Sequence, residues 1–246
     1  MNFTYKAYIN LIEKLKLKKY YFSNYDNYLE YKRNVILRHD IDNSLKKALE
    51  MAEIENKLGV SAYYFILLST DSYNINSESS LKIIKEIIKL GGRIGLHFDE
   101  KKYSIEKQKD YFKYVDYEIK ILSTILQEEI KVVSMHRPSK DFLEMNLDFP
   151  NIVNSYQKKF FKDFKYVSDS RMFWKEDIYK IIEKEEYDNL HILTHPFWYS
   201  HNENETMKEK LKNYMYSAIT ERYDSLNENF RDLKDIILKE ELFING

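Results

Sequence analysis

Val35-Ile36-Leu37-Arg38-His39-Asp40-Ile41-Asp42 decides how the rest of the chain is read. A largely apolar, strand-forming run leads into Asp-x-Asp, and the spacing that follows predicts a helix beginning near Ser44. Carboxylates at the carboxyl end of a strand, beside a helix start, lie where open α/β sheets and β/α barrels place their chemistry. Asp42, Asn43 and Ser44 are also good N-cap residues, and capping alone would account for an acid at 42. Asp40 is different: a helix needs one cap, and an acid ending a buried strand must be paired or desolvated at a cost.

Working outward, Tyr5, Tyr8, Ile9, Ile12, Leu15 and Leu17 have helical spacing and predict an N-terminal helix over 4–18. After the central strand, Leu45, Ala48, Leu49, Ala52 and Leu58 keep a helical period, with Gly59 as a C-cap. The apolar, aromatic run 61–68 reads as a second strand, and Leu81 to Leu90 as a helix closed by Gly91-Gly92. Strands are then expected at 93–97, 132–136, 166–169 and 190–195, the second and last stopped by Pro138 and Pro196. Helices are expected at 106–126 and 175–185, and one or two more over 205–240; residues 140–165 read as irregular.

Strands alternating with helices imply parallel βαβ units. The fold class is therefore α/β: a distorted, incomplete β/α barrel of about seven strands, expected as a single domain over residues 1–246 with N- and C-terminal helical extensions. No glycine-rich phosphate loop of either common type occurs, so a nucleotide cofactor has no support.

The chain of 246 residues carries 39 Lys+Arg against 40 Asp+Glu, with no basic stripe, which argues against nucleic acid as a partner. No cysteine is present, so disulfides and thiolate metal sites are excluded and a metal must be held by His, Asp or Glu. No apolar run approaches the ~20 residues of a membrane span, and Met1 to Tyr20 has no continuous apolar core for a signal peptide. The expectation is a cytoplasmic protein with no membrane span.

Asp40, Asp42, His97, His136, Asp169 and His195 all fall at expected strand ends. In a parallel architecture those ends share one face, so groups far apart in sequence converge there. Three of the six histidines sit at such ends, with His39 beside a fourth. His191 and His201 read as structural. Arg137-Pro138 after His136 suits an arginine that orients a carboxylate bidentately. Trp174 and Trp198 read as core or rim aromatics that can also stack on a sugar.

The order Asp-x-Asp, Gly-x-His, Arg-Pro, Asp-Ser with a following Trp, then Leu-Thr-His, over residues 33–200, resembles the motifs of the polysaccharide deacetylase family, carbohydrate esterase family 4. The resemblance implies hydrolysis of an N-acetyl group on a saccharide with one divalent metal, usually Zn2+. It implies Asp40 as general base, Asp42 and His97 as metal ligands, Arg137 orienting the base, Asp169 supporting it, and His195 as general acid. The family's further histidine, four residues after the first, is Lys101 here. A catalytic zinc normally has about three protein ligands; His136 is the substitute, with Asp99 and His39 as further candidates. Arg93 stands where a glutamate is usual, and Ser139 where an aromatic follows Arg-Pro.

The expected function is metal-dependent removal of an N-acetyl group from a sugar or sugar-nucleotide precursor of a surface polysaccharide. Its alternatives are a catalytically inactive barrel that binds saccharide or a partner enzyme, and a metal hydrolase of another amide or ester.

Overall fold

The computed structural model describes residues 1–243, and the chain divides into two compact units, 1–201 and 202–246. In the first, seven parallel strands form one curled, open sheet, the half-barrel expected from the alternating pattern. They are β2 (Asn34–Ile41), β3 (Tyr63–Leu67), β4 (Arg93–Phe98), β5 (Val132–Met135), β6 (Val153–Asn154), β7 (Lys165–Ser168) and β8 (Asn189–Thr194). Their order is β6-β5-β4-β3-β2-β8-β7, and a two-residue strand β1 (Tyr21–Phe22) pairs with the start of β2.

Helices α1 (Tyr5–Leu17), α2 (Leu45–Lys57), α3 (Glu78–Lys89), α4 (Gln108–Leu126), α5 (Lys140–Met145) and α6 (Ile178–Lys184) complete this unit. Five of the six begin at a side-chain cap. Thr4, Ser44, Ser77, Ser139 and Asp177 accept backbone N–H bonds as N-caps of α1, α2, α3, α5 and α6. Gly59 adopts the left-handed φ of +62° that ends α2. The cap of α2 is thus Ser44, which frees Asp42 from the capping role. The stretch 140–165, irregular by sequence, holds α5, β6 and one π-turn over Lys159–Asp163.

Strand β2 is buried at all eight positions, so both of its faces are covered. Val35, Leu37 and Ile41 face the main core beneath the helices, whereas Ile36 belongs to a second cluster inside the curl with Tyr25, Tyr63, Phe65, Phe160 and Phe164. The period of two therefore sends 36, 38 and 40 inward and 35, 37, 39 and 41 outward. Gly95, the partner of Phe65 in the β3–β4 register, leaves room for that ring: a Cβ at 95 would lie 2.5 Å from it.

His39, on the outward face, joins a polar knot. Glu55 of α2 accepts from Tyr8 Oη at 2.5 Å, Tyr64 Oη at 2.6 Å and His39 Nε2 at 2.6 Å, and His39 Nδ1 lies 2.6 Å from Thr194 Oγ1. One carboxylate thereby ties α1, α2, β2 and β3 together, with β8 joined through His39. His39 faces away from the interior, which removes it from the metal-ligand candidates.

The second unit contains α7 (Met207–Asn229) and α8 (Leu233–Ile236). Thr206 and Glu209 form a reciprocal capping box at the start of α7, and Tyr223 donates to the Ile237 carbonyl at 2.9 Å.

His191 of β8 fills the interior as a neutral ring. Its Nδ1 lies 2.9 Å from the Phe160 carbonyl, which can only accept, so Nε2 accepts from Tyr25 Oη at 2.9 Å. Burial, reinforced by the Arg38 charge against a weaker opposing pull from Asp40, pushes the imidazole down to about 3. An unfolded histidine titrates near 6.5. Between these values the unfolded chain holds one more proton, so stability must fall as pH drops through that window, by about 1.4 kcal/mol per pH unit from this residue. His191→Asn, compared with the parent by urea denaturation from pH 6.5 to 4, is expected to flatten the decline; parallel curves for the two proteins would refute the assignment.

Candidate active site

The carboxyl ends of five strands converge on the interior side. Asp40 is the last inward residue of β2, and Asp42 follows the strand by one residue; His97 is the penultimate residue of β4; His136, Asp169 and His195 directly follow β5, β7 and β8. Asp40, His97 and Asp169 are almost completely buried.

Three of these side chains meet at one point. Asp42 Oδ1 lies 3.1 Å from His97 Nε2 and 3.3 Å from His136 Nδ1, and the two nitrogens are 3.2 Å apart. Four ligands held tetrahedrally at about 2.0–2.1 Å from a zinc ion are separated by about 3.3–3.4 Å. The triangle Asp42–His97–His136 therefore has edges close to those of one face of such a tetrahedron. Asp42 Oδ1 is buried and has no hydrogen-bond partner among the described residues. An orphaned carboxylate oxygen between two imidazole nitrogens is what a divalent cation site requires, and these residue types suit zinc. Burial alone would raise the Asp42 carboxyl, but the His136 and His97 imidazoles beside it hold it well below the usual carboxylate range.

Asp40 stands next to this triangle, its Oδ2 3.6 Å from His97 Nε2. Its partner is Arg38, two residues earlier on the same strand. Arg38 Nε donates to Oδ1 at 3.1 Å and Nη2 to Oδ2 at 2.8 Å, a two-pronged grip. Arg38 is fully buried, and its remaining donors reach Ser155 Oγ at 2.8 Å and Tyr156 Oη at 3.2 Å. Desolvation pushes the Asp40 carboxyl up; the Arg38 guanidinium together with the His97 and His195 imidazoles outweighs it, and the net direction is down.

Arg137, expected to orient Asp40, does not reach it. The chain turns through a left-handed φ of +52° at Arg137, and the side chain, 61% exposed, donates to Asp99 Oδ2 at 3.1 Å. Asp99 is itself occupied, since Oδ1 caps the turn at Lys101, so it does not join the triangle. Arg38 is the residue that sequence reasoning missed. The signal was present: positions 38 and 40 differ by two, so in a strand their side chains share a face. The same parity places His39 on the other face.

His195 forms a separate dyad. Its Nδ1 lies 2.6 Å from Asp169 Oδ1, its backbone N–H donates to both carboxylate oxygens, and Tyr199 Oη donates to Asp169 Oδ2 at 3.1 Å. Asp169 thus serves His195 and not the base. With Nδ1–H donated to Asp169, Nε2 is turned to the site, 4.0 Å from Asp42 Oδ2. Burial would lower this imidazole, but the Asp169 carboxylate, with Asp42 and Asp40, outweighs it and raises it to about 9, so at neutral pH it favours the protonated form.

Removing any corner of the triangle should cost metal affinity. Asp42→Ala, His97→Ala and His136→Ala, each titrated with Zn2+ after metal stripping against a chromophoric chelator, are expected to lose at least about 100-fold. Asp99→Ala should change affinity little. Full affinity in His136→Ala, or a comparable loss in Asp99→Ala, would reject the triangle.

No protein-family model matches the chain, and no curated protein sequence is similar to it. Solved structures are similar to it at low identity. The peptidoglycan deacetylase PdaC from Bacillus subtilis is 13% identical with a TM-score of 0.47, covering 81% of this chain and 98% of that one. A family 4 carbohydrate esterase from Bacillus anthracis is 12% identical with a TM-score of 0.43, covering 93% and 90%. A CE4 family pseudoenzyme from Bacillus anthracis is 12% identical with a TM-score of 0.46, and this chain spans 60% of its length.

Proposed function

We propose that the chain is a metal-dependent hydrolase that removes the N-acetyl group of a saccharide. The observation that carries this reading is the Asp42–His97–His136 triangle flanked by the Asp40 carboxylate and the His195 imidazole. A divalent ion held by Asp42, His97 and His136 would supply an activated water and polarise the amide carbonyl. Asp40, held ionised by Arg38, accepts the proton of the attacking water. His195, charged through Asp169, gives its proton to the departing amine as the C–N bond breaks, leaving acetate and a free amino sugar.

The two groups divide the work because their surroundings push them in opposite directions. Asp40 is kept deprotonated by a cation, and His195 is kept protonated by an anion. On this reading the substrate is an N-acetylated sugar or sugar-nucleotide precursor of a surface polysaccharide.

The test is acetate release by the Zn2+-loaded protein from a panel of N-acetylated sugars, sugar nucleotides and chitin oligosaccharides. Asp40→Asn and His195→Ala are each expected to lower turnover by about two to four orders of magnitude while metal is retained. Turnover of Asp40→Asn within a few-fold of the parent would eliminate Asp40 as the base. Metal binding without acetate release from any member of the panel would reject the hydrolase, and saccharide binding under those conditions would identify the chain as an inactive barrel.

A further inference from the structure

Asp40 poses a problem that the triangle alone does not answer. Its Oδ2 is 3.6 Å from His97 Nε2, little farther than the 3.1–3.3 Å that separate the members of the triangle. A carboxylate so near a divalent ion is expected to ligate it, because the gain in Coulomb energy at low dielectric is large. A carboxylate that ligates a divalent ion is made a weaker base, because the bound cation disfavours its protonation.

Arg38 supplies the restraint. Both carboxylate oxygens of Asp40 are engaged by two nitrogens of the guanidinium, at 3.1 and 2.8 Å. The guanidinium is anchored in turn by Ser155 and Tyr156, and by the ring faces of Phe65 and Tyr156 at 5.3 and 4.8 Å from its central carbon. Arg38 has no solvent exposure, so turning Asp40 towards an ion would leave a buried cation without its counter-charge. Breaking one side of a buried pair in this way is strongly unfavourable. The grip is also independent of loop conformation, since residues i and i+2 of one strand share a face.

We propose that Arg38 determines what Asp40 does: by holding both oxygens it keeps Asp40 out of the coordination shell of an ion bound by Asp42, His97 and His136, and so leaves it available as a proton acceptor. The second half of this statement rests on the hydrolase reading; the first half stands without it. Arg38 is a positioning residue, since it acts on the reaction only through Asp40.

The consequence is a paired change in opposite directions, which loss of structure alone does not produce. Arg38→Gln removes the positive charge and the fork together. The freed carboxylate should then become a fourth protein ligand, with Zn2+ binding about tenfold tighter and turnover falling by about two orders of magnitude at nearly unchanged KM. The double variant Arg38→Gln/Asp40→Asn should lose the gain in affinity. Arg38→Lys keeps the charge but cannot fork both oxygens, and should show the same two changes at smaller size.

Zn2+ affinity of the full chain is measured by competition with a chromophoric chelator, acetate release in parallel, and folding by circular dichroism. Asp40→Asn alone, which keeps the shape but leaves the buried Arg38 without its counter-charge and so is compared only once its fold is confirmed, should bind Zn2+ within about threefold of the parent. A tenfold loss in that variant would show that Asp40 is already a ligand and overturn the proposal, even if neither Arg38 variant folds. Unchanged or weaker Zn2+ binding in a folded Arg38 variant, or a gain that persists in the double variant, would overturn it as well. Should the parent bind Zn2+ yet release no acetate, the hydrolase reading falls while the affinity comparison still decides the role of Arg38.

Discussion

Strand β2 is covered on both faces, and its two-residue period sorts its side chains into two jobs. The outward residues Val35, Leu37 and Ile41 bury apolar surface against the helices, and His39 enters the knot around Glu55. The inward residues Arg38 and Asp40 carry charge into the curl of the sheet. A slip of one residue in register would exchange the two sets, placing an ion pair beneath the helices and aliphatic groups at the site. The pairings His39 with Thr194 and Asp40 with Phe65 therefore fix where chemistry is possible.

Several buried charged groups in the first unit are compensated at close range. Arg38 and Asp40 neutralise each other within the interior, and both oxygens of Asp169 are used by His195 and Tyr199. Glu55 meets three donors. Each arrangement repays desolvation only because its geometry is complete, since a charge left without its partner costs several kcal/mol. Asp42 is the informative contrast. Among the described residues its Oδ1 is buried without a hydrogen-bond partner while two imidazole nitrogens crowd it, an arrangement that makes physical sense around a cation.

Much of this was legible in the sequence because strands and helices of this class punctuate themselves. Pro138 and Pro196 mark the ends of β5 and β8, Gly59 closes α2, and the apolar runs set the strand positions to within one or two residues. What escaped was decided by single torsions and by parity. Arg137 leaves the site because the chain turns left-handed there, which no side-chain pattern announces. Arg38 was hidden in plain view, two residues before Asp40, because an arginine inside an apolar strand reads as an interruption until the strand is known to curl around it. The short elements between 140 and 165 had no periodicity to betray them; β6 is only two residues long.

The placement of Arg38 also bears on how the site tolerates Lys101 and Ser139. A base oriented by an arginine on a neighbouring loop depends on the conformation of that loop and on whatever follows its Arg-Pro. Here Arg38 and Asp40 are both carried by one strand, so the loop after β5 is not needed to hold Asp40 and presents His136 at the triangle. Arg137 then forms an exposed pair with Asp99, of the kind that contributes little to stability. Glu100, the residue beside Asp99, accepts from the Ser139 backbone and hydroxyl and pins the start of α5. The departures around Lys101 and Ser139 thus fall on a segment that holds the rim together, while the charges that would perform the chemistry are set by β2, β4, β5, β7 and β8 at their carboxyl ends.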